Sequence, residues 1–201
     1  IHPQCDEDKH TLLVPGEAAE ASIAAKLAGF GLTSKSYILV HPTSRWMFKA
    51  WEIGKLAATI NNLASRGLPI ILSAAPSKEE SAYMDELRAA LTHPVFDLSG
   101  QLNLKELGAL MKHARVYFGV DSMPMHLASA VGTPTVAIFG PTGAIKWAPW
   151  GVNYRVITAG FTCQPCGKAG CGDGGVSDCI TAITPQQVLS AIDTMLLETL
   201  S

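Results

Sequence analysis

The most constraining feature of this chain is a recurring pair: a short unbroken apolar run, then a longer segment with helical periodicity. Tyr37-Ile38-Leu39-Val40 is such a run, closed by His41-Pro42. Pro69–Leu72, Val116–Val120, Thr135–Phe139 and Tyr154–Ile157 have the same character and read as further strands. Residues 51–66 set Ile53, Leu56, Ile60 and Leu63 on one helical face, with Gly67 as the stop. Ser77 with Glu80, and Asn103 with Glu106, have capping-box spacing and open helices to about Leu91 and His113. A short helix is expected over 123–131. Thr184, Pro185 and Gln187 offer an N-cap, a first-turn proline and an N3 glutamine for a last helix to about Leu197. Strands apolar on both sides need cover on both faces, and right-handed crossovers supply it. The expected fold class is therefore α/β, a Rossmann-like doubly wound parallel sheet.

Composition sets the scale. With 201 residues, 48% of them hydrophobic, the chain can build one sizeable core but not two full α/β domains. Its formal net charge of −2 gives no field that would gather nucleic acid or an anionic membrane. No 18-residue apolar run and no signal peptide are found, so no membrane crossing is expected. The first residue is Ile1, which fits a chain cut from something longer. Residues 1–35 are weakly patterned: Asp6-Glu7-Asp8-Lys9 gives way to an Ala-rich, helical piece at 17–29. They are expected to form a linker or interdomain segment, with the domain proper at 36–201.

Doubly wound sheets bind ligands beyond the carboxyl ends of their strands. That directs attention to His41–Lys49, Ala74–Glu80, Asp121–His126 and Gly140–Trp147. No G-x-G-x-x-G follows the first strand and no Walker A motif is present, which argues against dinucleotide dehydrogenases and P-loop NTPases. A hydrolase would need a G-x-S-x-G elbow, also missing. The densest polar group is Asp121-Ser122-Met123-Pro124-Met125-His126, at a junction between strand and helix. Ser122 is a natural N-cap, and the freed amides with the helix dipole make an anion site. Asp121 would point into the same space, and His126 lies one turn in. The plainer alternative is a simple cap and a core histidine. Thr43-Ser44-Arg45, with Lys49 nearby, offers hydroxyls, amides and an ammonium to phosphate. Its alternative is a solvated basic loop.

Four of the five cysteines, Cys163, Cys166, Cys171 and Cys179, crowd into one Gly-rich stretch. They could bind one structural zinc, form disulfides or remain free thiols.

The run Phe118–Ala130, with Gly132-Thr133-Pro134 and Phe139-Gly140-Pro141-Thr142, resembles the ADP-heptose:lipopolysaccharide heptosyltransferases. The Asp-Ser-x-Pro-x-His form, with Trp147-Ala148-Pro149-Trp150 downstream, is most similar to the branch that adds the third, side-branch heptose. The resemblance covers residues 36–198, the nucleotide-sugar-binding C-terminal half of an inverting GT-B glycosyltransferase. It implies that Thr43, Ser44 and Lys49 bind the diphosphate and that Glu79 or Glu80 meets the ribose. Leu102 would pack on adenine, Asp121 would face the heptose, and Ser122 and Met123 would give phosphate-binding amides, with His126 completing the block. Lys49 and Asp121 are the implied catalytic residues. No cofactor is required for transfer. The acceptor, the lipopolysaccharide inner core, and the general base belong to a half that this chain lacks, so donor binding with little turnover is expected. The implied location is cytoplasmic, at the inner face of the inner membrane. The chain departs from the commoner family pattern at Ser122-Met123, where Thr-Gly is usual, and places Lys49 one residue later than some members. Two other readings share the fold: another GT-B nucleotide-sugar enzyme, which should lack the Asp121 block, and a non-catalytic nucleotide-binding module.

Overall fold

The computed structural model describes residues 11–172 and 174–199; Cys5 and the polar run at 6–9 lie outside them. Among the described residues six strands form one sheet: β1 (Ile38–His41), β2 (Ile70–Leu72), β3 (Phe96–Asp97), β4 (Val116–Val120), β5 (Thr135–Ile138) and β6 (Tyr154–Ile157). Their order is β3-β2-β1-β4-β5-β6 and every pairing is parallel. This is the doubly wound order. Chain direction across the sheet reverses between β1 and β4, and such a switch point opens a crevice at the carboxyl ends.

The helices are α1 (Glu17–Gly29), α2 (Ile53–Ser65), α3 (Lys78–Ala90), α4 (Leu104–His113), α5 (Met123–Ala130), α6 (Ala144–Trp147), α7 (Asp178–Thr181) and α8 (Pro185–Glu198). The period-two alternation of β1 divides the core into two layers. Ile38 and Val40 pack with Leu56 and Ile60 of α2, Met84 of α3 and Ile192 of α8. Leu39 packs with Ile23 of α1, Leu110 of α4 and Met125 of α5. The sheet is thus apolar on both faces, as the unbroken strand runs require.

The helical part of the first 35 residues packs against the domain. α1 buries Ala19, Ile23 and Leu27, and its Ser22 hydroxyl donates to Glu106 Oε1 of α4 at 2.6 Å. β3 is not visible in the sequence pattern. Two residues are too short to show a period, and only pairing with β2 defines them as a strand.

The expected helix starts are present, with one instructive departure. Asn103–Glu106 and Thr184–Gln187 form complete capping boxes. Ser77 accepts from the Glu80 amide at 3.2 Å, but the Glu80 carboxylate does not return to it. It turns instead toward the end of β1. Close approach of β1 and β4 also fixes Gly119, which lies opposite His41. A Cβ at Gly119 would sit 2.7 Å from the His41 carbonyl oxygen and collide with the Tyr117 hydroxyl.

Candidate functional site

A cavity of about 560 Å³ opens over the switch point, a size suited to a nucleotide with a further group attached. All four segments singled out from the strand ends line it, through residues such as Thr43, Glu80, Asp121 and Thr142. A fifth wall comes from the start of α4: Leu102, Asn103, Leu104 and Leu107. Only Leu102 was anticipated there, because β3 carries no sequence signal and so offers no strand end from which to expect a wall.

Each polar group is held by a nameable contact. Lys49 lies on a 3-10 turn, Met47–Lys49, after β1. Its ammonium meets Asp121 Oδ2 at 2.6 Å, and both side chains are largely withdrawn from water, at 17% and 7% exposure. Asp121 stands immediately beyond β4, so the pair bridges the two strands that flank the switch point. Thr43, fully buried, donates its hydroxyl to Glu80 Oε2 at 2.5 Å. The Ala75 amide donates to the same oxygen at 3.1 Å. This is where the missing half of the capping box went: a buried carboxylate needs donors, and the loops after β1 and β2 supply one each. Glu80 lines the cavity, whereas Glu79 is exposed and does not.

Ser122 occupies the N-cap position of α5, yet its side chain makes no capping bond. Its hydroxyl points back to the Thr43 carbonyl (3.4 Å) and the Val120 carbonyl (3.3 Å). The side-chain cap expected from sequence is therefore not formed. The hydroxyl ties α5 to the loop after β1. In the first turn Pro124 has no N–H and the Met125 amide donates to the Ser122 carbonyl at 3.1 Å. That leaves the Met123 amide at the cavity mouth, where the helix dipole adds positive potential. Met123 is exposed at this mouth. His126, one turn further, lines the cavity and packs edge-on against Trp147, ring centroids 6.2 Å apart. Burial holds its pKa below the ordinary histidine value; Asp121 pulls upward and Lys49 pushes down. The ring is thus neutral at neutral pH.

Other lining groups had no individual role assigned from the sequence, His41, Arg45 and Trp147 among them. His41 is buried with Nδ1 3.0 Å from Ser73 Oγ, and burial pushes its pKa down to about 4. Arg45 lies over the Trp46 ring at 5.5 Å. Trp147 carries Lys146 over its ring at 5.0 Å. The positions of His41 and Trp147 in strand-end segments were usable signals; the packing of Trp147 on His126 depends on the short α6 and is set only by the fold.

The cysteine loop does not assemble the zinc set that its spacing allowed. Among the described residues no group of three or more His, Cys, Asp or Glu side chains is arranged to hold a metal ion. Cys163, Cys166, Cys171 and Cys179 are all unpaired thiols. Cys179, on α7, is buried in the core against Gly140, and burial together with the neighbouring thiols of Cys171, Cys166 and Cys163 pushes its pKa up, while Cys163 is exposed. Cys171 Sγ instead accepts from the Asp178 amide at 3.4 Å.

Comparison with known proteins adds an independent line. A family model, glycosyltransferase family 9 (heptosyltransferase), matches residues 6–176. The chain is 40% identical over 134 residues to lipopolysaccharide heptosyltransferase 3 of Escherichia coli, an alignment covering 66% of this chain and 38% of that relative. Its fold matches the solved glycosyl transferase family 9 protein of Veillonella parvula with a TM-score of 0.80 at 20% identity, over 94% of this chain and 54% of the other. It matches E. coli ADP-heptose lps heptosyltransferase II with a TM-score of 0.73 at 23% identity, over 95% and 54%. The chain spans about half or less of the length of each protein it resembles.

Proposed function

The chain belongs to glycosyltransferase family 9, the heptosyltransferases, and on that premise we propose that its cavity is the donor site for transfer of heptose from ADP-heptose to the inner core of lipopolysaccharide. The observation that carries this reading is the bridge over the switch point: Lys49 from the β1 side, Asp121 and the start of α5 from the β4 side, in one crevice.

In this reading adenine lies against the apolar wall of Leu102, Leu104 and Leu107. The ribose hydroxyls meet the Glu80 oxygen not engaged by Thr43 and Ala75. The diphosphate lies at the start of α5, taking the amides of Ser122 and Met123, with Thr43 and Ser44 along its flank. It shares the Lys49 ammonium with Asp121, which turns its free lone pairs to the heptose hydroxyls. Transfer breaks the bond from the anomeric carbon to phosphate, and ADP leaves with the electron pair. The acceptor hydroxyl forms the new bond from the opposite face and gives its proton to a base, which the reading assigns to residues outside this chain. Lys49 and the amides stabilise charge as it develops on the leaving group, so no step is routed through a metal. Inversion follows from attack opposite the leaving group.

The acceptor is lipid-linked, which sets the reaction at the cytoplasmic face of the inner membrane. Among the described residues no helix is long and apolar enough to cross a membrane.

The test is calorimetric titration of this chain with ADP-heptose, ADP and UDP-glucose, repeated on Asp121→Ala. ADP-heptose should bind most tightly, and the variant should lose roughly ten-fold or more, equivalent to about 1.4 kcal/mol. Equal binding of ADP and ADP-heptose, unchanged by the variant, would make this a nucleotide-binding module. Preference for UDP-glucose would move the chain to another donor class.

A further inference from the structure

A second cavity, about 520 Å³, adjoins the first and shares Trp46, Lys49, Thr142 and Trp147 with it. Its far wall is the glycine-rich loop, through Pro165 and Lys168. That wall is built onto the sheet. The Gln164 side chain donates to the Gly140 carbonyl at 2.8 Å, and the Gly167 amide donates to the Pro141 carbonyl at 2.9 Å. Gly143 sits so close to Pro165 that a Cβ there would touch the ring at 3.4 Å.

The two cavities differ in chemistry. Two carboxylates, Glu80 and Asp121, line the first; none lines the second. The second is lined by Lys168, by Trp46, Phe48 and Trp147, and by Lys49, whose ammonium is already engaged by Asp121. Trp46 and Trp147 remain 56% and 45% exposed, a large apolar area to leave in water. Flat aromatic surface receives the C–H face of a sugar, and a lysine such as Lys168 with no carboxylate beside it in the cavity selects a negative substituent.

We propose that this second cavity is an acceptor-side subsite for a sugar unit bearing an anionic group, phosphate or carboxylate, with Lys168 as its specificity-determining residue. The proposal rests on the donor reading above, since it takes the shared wall of Trp46, Lys49 and Trp147 as the boundary between donor and acceptor. It gives the cysteine-bearing loop a role that needs no metal: the loop carries Lys168 to the rim and braces it against the end of β5.

The experiment uses tryptophan fluorescence of the chain saturated with ADP, titrated with glucose 6-phosphate, glucuronate, glucose and inorganic phosphate. At least one anionic sugar should bind roughly ten-fold more tightly than glucose and than inorganic phosphate. Which anionic sugar wins identifies phosphate or carboxylate as the substituent. Lys168→Glu should abolish the preference, Lys168→Arg should keep it, and ADP affinity should be unchanged in both. Equal binding of glucose, indifference to Lys168→Glu, or no binding of either anionic sugar to ADP-loaded protein overturns the proposal. Failure of ADP itself to bind would instead overturn the donor reading.

Discussion

Asp121 and Lys49 need each other before any ligand arrives. A carboxylate that is 7% exposed is costly to bury without a compensating cation, and removing one partner of such a pair is costlier than removing both. Lys49→Met should therefore destabilise the protein by about 2–4 kcal/mol, and adding Asp121→Asn should recover most of that. Urea unfolding of the two single variants and the double variant measures the coupling; additive losses would show that the pair is not held as described. The same pair shows what could be read in advance. Strand ends pointed to both residues, and the family resemblance assigned them to diphosphate and sugar. Neither source indicated that they pair with each other, because residues 72 positions apart are brought together only by the β1–β4 pairing. Glu80 is similar. Its spacing from Ser77 fits a capping box, yet the buried Thr43 hydroxyl and the Ala75 amide offer its carboxylate a better-shielded partnership.

Among the elements, legibility tracked length and local signalling. α8 was foreseen with its cap, its N1 proline and its N3 glutamine, and the structure forms the complete box. The Thr184 side chain accepts from the Gln187 amide on an exposed turn remote from both cavities. Thr184→Ala should therefore cost about 1 kcal/mol. That corresponds to about 2–4 °C in melting temperature for a protein of this size, with ADP affinity intact; an unchanged melt would mean the cap is not needed. β3 lies at the other extreme. Phe96 and Asp97 carry no periodic signal, so their strand, and the cavity wall at the start of α4, were not foreseen. α5 falls between. Its start was correctly placed at Ser122, but the serine hydroxyl went to the Thr43 and Val120 carbonyls, since side-chain capping competes with tertiary contacts that sequence does not display.

For the molecule as a whole, the buried His41 ties stability to pH. Its folded pKa, pushed down to about 4, lies below its unfolded value of 6.5, so the unfolded chain binds more protons between the two. Stability contributed by His41 is thus fully present above about pH 6.5, falls as the pH drops toward 4, and levels off below. The whole loss is on the order of 3 kcal/mol. Unfolding midpoints in urea at pH 7, 5.5 and 4.5 should show this decline, and His41→Asn should flatten it; an equal slope in the variant would assign the acid limb to other groups. The strand order carries a consequence for how the molecule comes into being. β1 must pair with β4, Ile38 beside Val116, across a gap in which two other strands and three helices intervene. Closing so large a loop is slow, and contacts of this separation form late. A chain emerging from its amino end can dock β2 on β1 well before β4 exists. The crevice, with one rim from each side of that pairing, is absent until β4 has docked on β1. A ligand that grips both rims therefore binds only the finished fold, and its binding free energy is added to the stability of the whole sheet.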